Sequence, residues 1–201
     1  QLWVSTGQVP VVPQDRRPNA SSAETACPAV SLRITGGSAK GRLLKGRAPP
    51  GVRPTTSRVR QAVFDMVGHD LSGVRFLDAF GGTGLMALEA WSRGAEVVVT
   101  EKTRRSVRDI ERHAEEVGAE IAVHCGDALA LAPQLGPFDG AFVDPPYRLD
   151  PLPILEVLEP IVRDWLVAEV DARRVPPQRV GRLSLRSARR HASSSLWLFR
   201  P

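Results

Sequence analysis

Cysteine is scarce: Cys27 and Cys125 are the only two in 201 residues. Two thiols cannot build a disulfide framework or an all-cysteine zinc site, and neither sits in a metal-ligand spacing. The four histidines, His69, His113, His124 and His191, also lack the spacing of a metal site or a catalytic triad, so no metal is expected. Nowhere do apolar residues run for the roughly 18 positions that a membrane helix needs. No basic-then-apolar leader opens the chain, and the expectation is a cytoplasmic protein without membrane attachment. Asn19-Ala20-Ser21 fits the glycosylation triplet, but without a leader it reads as coincidence. Aromatic residues are few, and Tyr147 is the only tyrosine. The remaining composition, 42% hydrophobic and 24% charged, is that of one globular domain with a sizeable core.

Charge is uneven along the chain. The net charge is +5, yet residues 31–60 carry eight Lys or Arg and no acid, and residues 172–201 carry eight Arg and no acid. Between them, residues 61–171 hold nine basic and twenty acidic residues. One basic flank alone is usually a solvated face. Two flanks of one sign at opposite ends form a phosphate-tracking surface if the fold brings them together, which points to a nucleic-acid partner.

Residues 1–30, rich in Pro, Ser and Ala without periodicity, read as a poorly ordered extension, and residues 31–201 as a single domain. Its basic N-terminal segment, 31–69, comprises a short strand at Leu32–Thr35, a flexible loop around Gly36, Gly37 and Gly41, and a helix. Thr55 or Thr56 is placed to cap that helix, whose apolar stripe is Val59, Ala62, Val63, Met66 and Val67 before Gly68. Arg58 and Arg60 fall off the stripe and are expected to be exposed. Beyond it, strands at 74–80, 96–100, 120–125 and 138–143 alternate with helices near 83–93, 103–117 and 128–135. This alternation predicts βαβ units and an α/β fold with a parallel sheet covered on both faces. A helix at 153–162 and a strand at 166–170 continue the pattern. Strands at 180–186 and 195–199 then suggest an antiparallel pair closing the sheet.

Four constellations carry chemistry. Phe76 to Gly84 is an apolar strand ending in the turn Gly81-Gly82-Thr83-Gly84 and running into a helix, where glycines allow close backbone approach and helix amides face a ligand. Gly82-x-Gly84-x-x-Ala87 fits a dinucleotide fingerprint as well. Asp78 breaks the tie: a carboxylate there repels a pyrophosphate but suits a cofactor with a cationic amino-acid end, which favours S-adenosylmethionine. Glu101, at the end of the next strand, is placed for ribose hydroxyls, and Asp127, after the third, for an adenine amino group. A loop aspartate is equally a helix cap. The most specific is Asp144-Pro145-Pro146-Tyr147: proline rigidity holds a carboxylate and carbonyls at a strand end, where they can accept both N–H bonds of an exocyclic base amine. Tyr147 can stack on the flipped base.

From about Arg33 to Arg148 these stretches resemble the bacterial RsmD family, which methylates the exocyclic N2 of a guanine in small-subunit ribosomal RNA. The matching motifs are Arg33-Ile34-Thr35-Gly36-Gly37 with Lys40-Gly41-Arg42, Arg53-Pro54-Thr55-Thr56-Ser57-Arg58-Val59-Arg60, Leu77 to Gly84, Glu89 to Ala95, Glu101-Lys102 and Asp144 to Tyr147. The resemblance implies a class I methyltransferase sheet of seven mostly parallel strands, the last antiparallel, with helices on both faces. It implies S-adenosylmethionine as donor, held by Asp78, Phe80, Gly81, Gly82, Gly84, Glu101, Asp127, Thr55 and Thr56. Catalysis falls to Asp144, Pro145, Pro146 and Tyr147, and RNA contact to Arg33, Lys40, Arg42, Arg53, Arg58 and Arg60. The implied partner is small-subunit ribosomal RNA, free or in an assembled particle, and the expected state a monomer. This chain departs from the family in having Gly81 where alanine is usual, and His191-Ala192-Ser193 where a Tyr-Gly-Asp step precedes the final strand. The alternatives are a non-catalytic or altered-substrate RNA-binding relative and a DNA adenine-N6 methyltransferase. The latter calls for a target-recognition segment that the roughly fifty residues after Tyr147 are too few to supply. A nicotinamide oxidoreductase has no use for the Asp-Pro-Pro-Tyr loop.

Overall fold

The computed structural model describes residues 32–45 and 55–201. The candidate extension 1–30 and Arg53 therefore lie outside the described residues. Helix α1 (Ser57–Val67) starts at Thr56, whose side chain accepts the Val59 N–H, and stops at Gly68. Strand β1 (Arg75–Asp78), α2 (Leu85–Ser92), β2 (Glu96–Glu101), α3 (Arg104–Val117), β3 (Ile121–Cys125), α4 (Ala128–Leu135) and β4 (Phe138–Val143) realise the expected alternation. Helix α5 (Pro151–Leu158) ends in a 3-10 turn at Glu159–Ile161, and β5 (Val162–Asp171) follows.

The sheet has eight strands in the order β3-β2-β1-β4-β5-β8-β7-β6, one more than the seven expected. The extra strand arises because the stretch read as 180–186 splits. Gly181, at φ +54°, turns the chain between β6 (Arg179–Val180) and β7 (Leu183–His191). Strand β8 (Ser194–Arg200) inserts antiparallel between β5 and β7, so the hairpin expected at the C-terminus is present. The stretch 32–35 is not a sheet strand; it forms only an isolated antiparallel bridge, Arg33 to Leu43.

Strand side chains alternate between two cores. Leu77, Val98, Ala141, Leu166, Trp197 and Phe199 pack on one face with α4 and α5. Phe76, Val97, Val99, Phe142, Trp165 and Leu198 pack on the other with α1 and α2. A third cluster joins Leu32, Ile34, Ala39 and Leu44 to Leu85, Leu88, Ala114 and Val117, and so fixes the N-terminal segment on α2 and α3. That segment is not the flexible loop its glycines suggest. The Ser92 hydroxyl bonds the Gly36 carbonyl at 2.7 Å and receives the Ala39 N–H at 2.8 Å. A Cβ at Gly37 would lie 1.8 Å from the Ser92 carbonyl oxygen, so glycine is required there by close approach.

Candidate active site

Strand order reverses between β1 and β4, and a cleft of about 1380 Å³ opens at the carboxyl ends of the strands around that point, where open α/β sheets bind ligands. Of the expected donor residues, Asp78, Phe80, Gly81, Gly82, Glu101 and Asp127 line it at strand ends, and Thr55 and Thr56 from the start of α1. Gly84, the N-cap of α2 facing Ile110, does not line it. Asp78, the last residue of β1, is 1% exposed, and neither carboxylate oxygen has a hydrogen-bond partner of good geometry. Burial pushes its carboxyl up to about 7, against the weaker pull of the Phe80 and Ala87 amides, with Glu101 adding to the rise. The turn after it is drawn tight by Gly81 N–H to the Thr100 carbonyl (3.0 Å) and Gly84 N–H to the Gly81 carbonyl (2.7 Å). A Cβ at Gly81 would sit 2.5 Å from Val99 Cγ1 and 2.8 Å from Ile110 Cδ1, so a larger residue there requires these side chains to shift.

Glu101 lies at the end of β2 beside that turn. Its carboxylate accepts the Gly82 N–H at 2.9 Å and the Thr103 N–H at 2.7 Å, which fixes it facing the cleft. Of the two roles weighed for Asp127 the structure has the cap: Oδ1 accepts the Leu129 N–H at 3.0 Å, while Oδ2 lies 3.4 Å from Lys102 Nζ at the cleft wall. Thr56, Phe80 and Gly82 also line the cleft. A cationic amino-acid end fits here, because an unpartnered buried carboxylate is what such a group would neutralise.

Asp144 follows β4 on the same floor. Burial holds its carboxyl well above the ordinary range; the charge of Glu169 and, less, that of Asp78 push the same way, while a hydrogen bond from Thr55 opposes them. Thr55 Oγ1 donates to Asp144 Oδ2 at 3.3 Å. Thr55, which the resemblance placed at the donor, thus touches Asp144 and lines the same cleft. Pro145 is buried, Pro146 exposed, and the Leu149 N–H closes on the Pro146 carbonyl at 2.8 Å to shape the lip. Tyr147 stands at that lip, 36% exposed.

The basic residues divide. Arg33, Lys40, Arg42 and Arg58 are exposed, and Arg58 lines the cleft opposite the turn His191–Ser194 between β7 and β8. Of the basic residues of the two flanks only Arg58 lines the cleft; the turn His191–Ser194 lines it too, but none of the eight arginines of residues 172–201 does. Arg60 does not join the exposed residues: expected to be exposed and to contact RNA, it is 1% exposed. Its guanidinium bonds Glu89 Oε1 (3.2 Å), the Thr55 carbonyl (2.6 Å) and the Arg33 carbonyl (2.7 Å), which leaves it no face for a phosphate. Glu89, fully buried in α2, also pairs with Arg93 and accepts the Thr35 N–H at 2.7 Å. Arg93 in turn lies over the Phe64 ring, 3.9 Å from its centroid. Sequence reasoning assigned no role to Glu89 or Arg93, although both lie in a stretch shared with the family, and none to Glu169. The available signal for Glu169 was a single carboxylate inside the apolar run Leu166–Val170.

The family model described as Conserved hypothetical protein 95 matches residues 32–200. YlbH of Bacillus subtilis (strain 168) is 35% identical over 169 residues, 76% of this chain and 89% of its own length. Ribosomal RNA small subunit methyltransferase D of Escherichia coli (strain K12) is 36% identical over 120 residues, 58% of this chain and 61% of its own length. Among solved structures, yhhF from Escherichia coli superposes with a TM-score of 0.73 at 30% identity, covering 84% of this chain and 96% of that one.

Proposed function

Because the chain belongs to the Conserved hypothetical protein 95 family, the proteins of RsmD type, we propose that it methylates ribosomal RNA, and specifically the exocyclic N2 amine of a guanine in the small-subunit RNA. The methyl donor is S-adenosylmethionine, which when bound supplies an electrophilic methyl group on a sulfonium sulfur. Asp78 meets its amino-acid end, Glu101 its ribose hydroxyls and Asp127 its adenine. The observation that carries the reading is the presence in one cleft of the unpartnered Asp78, the anchored Glu101 and Asp144.

Asp144 is the acceptor for the target amine. With Oδ2 engaged by Thr55, Oδ1 remains to accept one N–H of the base and hold the nitrogen in line. No proton need leave before transfer, since the amine becomes acidic only as its nitrogen gains a bond. The raised proton affinity of Asp144 then suits its carboxylate to take that proton. Tyr147 offers its ring face to the flipped base at the lip. Lys40, Arg42 and Arg58 grip phosphates. Under this reading the chain acts as a monomer in the cytoplasm, on RNA either free or in a particle.

The test is to incubate the protein with labelled S-adenosylmethionine and small-subunit RNA, free and with ribosomal proteins, and to map the methylated base by mass spectrometry. Label on guanine N2 is expected, with Asp144→Ala abolishing transfer while donor affinity is kept. Label on adenine N6 of DNA, or none on RNA, would refute the reading.

A further inference from the structure

The structure assigns Thr55 as a positioning residue for Asp144, held in place from behind by the buried Arg60. The inference rests on the reading of Asp144 as the group that accepts the target amine. Two adjacent threonines line the cleft; Thr56 spends its hydroxyl on the Val59 N–H as the cap of α1, and that of Thr55 is turned to Asp144. Its hydroxyl is within bonding distance of Asp144 Oδ2 at 3.3 Å, a long contact of the kind that tightens when substrate fills a site.

The backbone behind that hydroxyl is fixed. Arg60 Nη1 donates to the Thr55 carbonyl at 2.6 Å, Nη2 to the Arg33 carbonyl at 2.7 Å, and Nε to Glu89 at 3.2 Å. Arg60 and Glu89 are 1% and 0% exposed, so neither is free to swing away. One buried guanidinium therefore ties together the basic segment, the start of α1 and helix α2, and it sets where the Thr55 hydroxyl points.

Two consequences follow for Asp144. Occupying Oδ2 aims Oδ1 at the cleft. Donating a bond to the ionised form also favours that form. The surroundings otherwise favour the protonated acid: Glu169 faces Asp144 from β5 and Asp78 from β1, and His191 lines the same cleft from the end of β7. Loss of the Thr55 hydroxyl must then raise the pH at which Asp144 ionises. Because the carboxyl has to be ionised to take up the proton that the methylated amine sheds, the acid limb of the rate profile moves to higher pH.

The experiment compares Thr55→Val, which keeps shape and removes the hydroxyl, with Thr55→Ser, which keeps the hydroxyl. Single-turnover methyl transfer to small-subunit RNA is followed against pH, and S-adenosylhomocysteine affinity by calorimetry. The Asp144 carboxyl is titrated directly by carbon NMR. For Thr55→Val the transfer rate falls by about tenfold to a hundredfold, the size of losing one bond to a charged group. Its acid limb and the NMR titration both move to higher pH, cofactor-product affinity stays within about twofold, and Thr55→Ser restores all of these. An unmoved NMR titration in Thr55→Val overturns the assignment, as does weakened S-adenosylhomocysteine binding with the acid limb in place, which would make Thr55 a donor contact. Failure of the underlying reading looks different: wild-type protein transfers no methyl to RNA, or Asp144→Asn keeps full rate, whatever the NMR titration shows.

Discussion

Replacing Asp78 with asparagine should stabilise the donor-free protein, and do so increasingly as pH rises. Asp78 is buried without a good partner, and its carboxyl is pushed up to about 7 from an ordinary value of 3.8. Below the ordinary value both folded and unfolded chains carry the proton, and Asp78 does not disfavour folding. Between 3.8 and about 7 the unfolded chain ionises while the folded one keeps its proton, so stability falls with rising pH. Near neutrality the penalty is on the order of 4 kcal/mol, of which about 2 kcal/mol accumulates between pH 5 and 7. Asparagine cannot ionise. At about 2–4 °C per kcal/mol for a chain of this size, the melting temperature of Asp78→Asn minus that of wild type should grow by about 4–8 °C from pH 5 to pH 7. Removing the charge of Asp78 also eases ionisation of Asp144, which acts in the same direction. The converse appears in binding. A cationic amino-acid end needs Asp78 ionised, so S-adenosylhomocysteine binding to wild type should release a proton below pH 7 and weaken by up to about tenfold per pH unit. Calorimetry in buffers of different ionisation enthalpy reads that proton, and Asp78→Asn should show none. A melting-temperature difference that stays flat from pH 5 to 7 would refute the reasoning, because the Phe80 and Ala87 amides would then already hold Asp78 ionised.

Glu89→Gln should lower stability by about 3–5 kcal/mol in chemical denaturation, since it leaves Arg60 and Arg93 buried without their shared counter-charge; a loss below about 1 kcal/mol would mean that the pairing carries little. Neutralising the exposed Lys40 and Arg42 should weaken RNA binding and reduce its salt slope by roughly 0.7–0.9 for each phosphate no longer neutralised, with S-adenosylhomocysteine affinity unchanged. An unchanged slope would make this segment a solvated face only.

Much of this architecture is legible in the chain. Apolar runs ending in Asp78, Glu101, Asp127 and Asp144 announce the parallel strands and their ligand-facing ends, because those residues are local signals at element boundaries. Thr56 and Gly68 likewise bracket α1 by capping chemistry. Arg60 was not legible. Its helical phase points it off the apolar stripe, and only the arrival of Glu89 from α2, twenty-nine positions later, makes burial tolerable. The run 180–186 read as one strand because Val180, Leu183 and Leu185 lie close together, but Gly181 at a positive φ turns the chain, and the apolar phase shifts across it. The bridge at Arg33 falls short of a strand because the backbone of 35–39 turns to bond Glu89 and Ser92 instead of extending.

The attachment of residues 32–45 to α2 and α3 bears on how such proteins can be recombined. With Gly36 and Gly37 pressed against Ser92 and Arg93, Thr35 bonded to Glu89 and Lys45 to Glu116, the segment is a graft whose rootstock lies elsewhere in the chain. A chimera that moves it onto another sheet must transplant Glu89, Ser92 and Arg93 with it, or the joint will not take. Retargeting is simpler at Lys40 and Arg42, which stand outside the joint and can be exchanged without disturbing it.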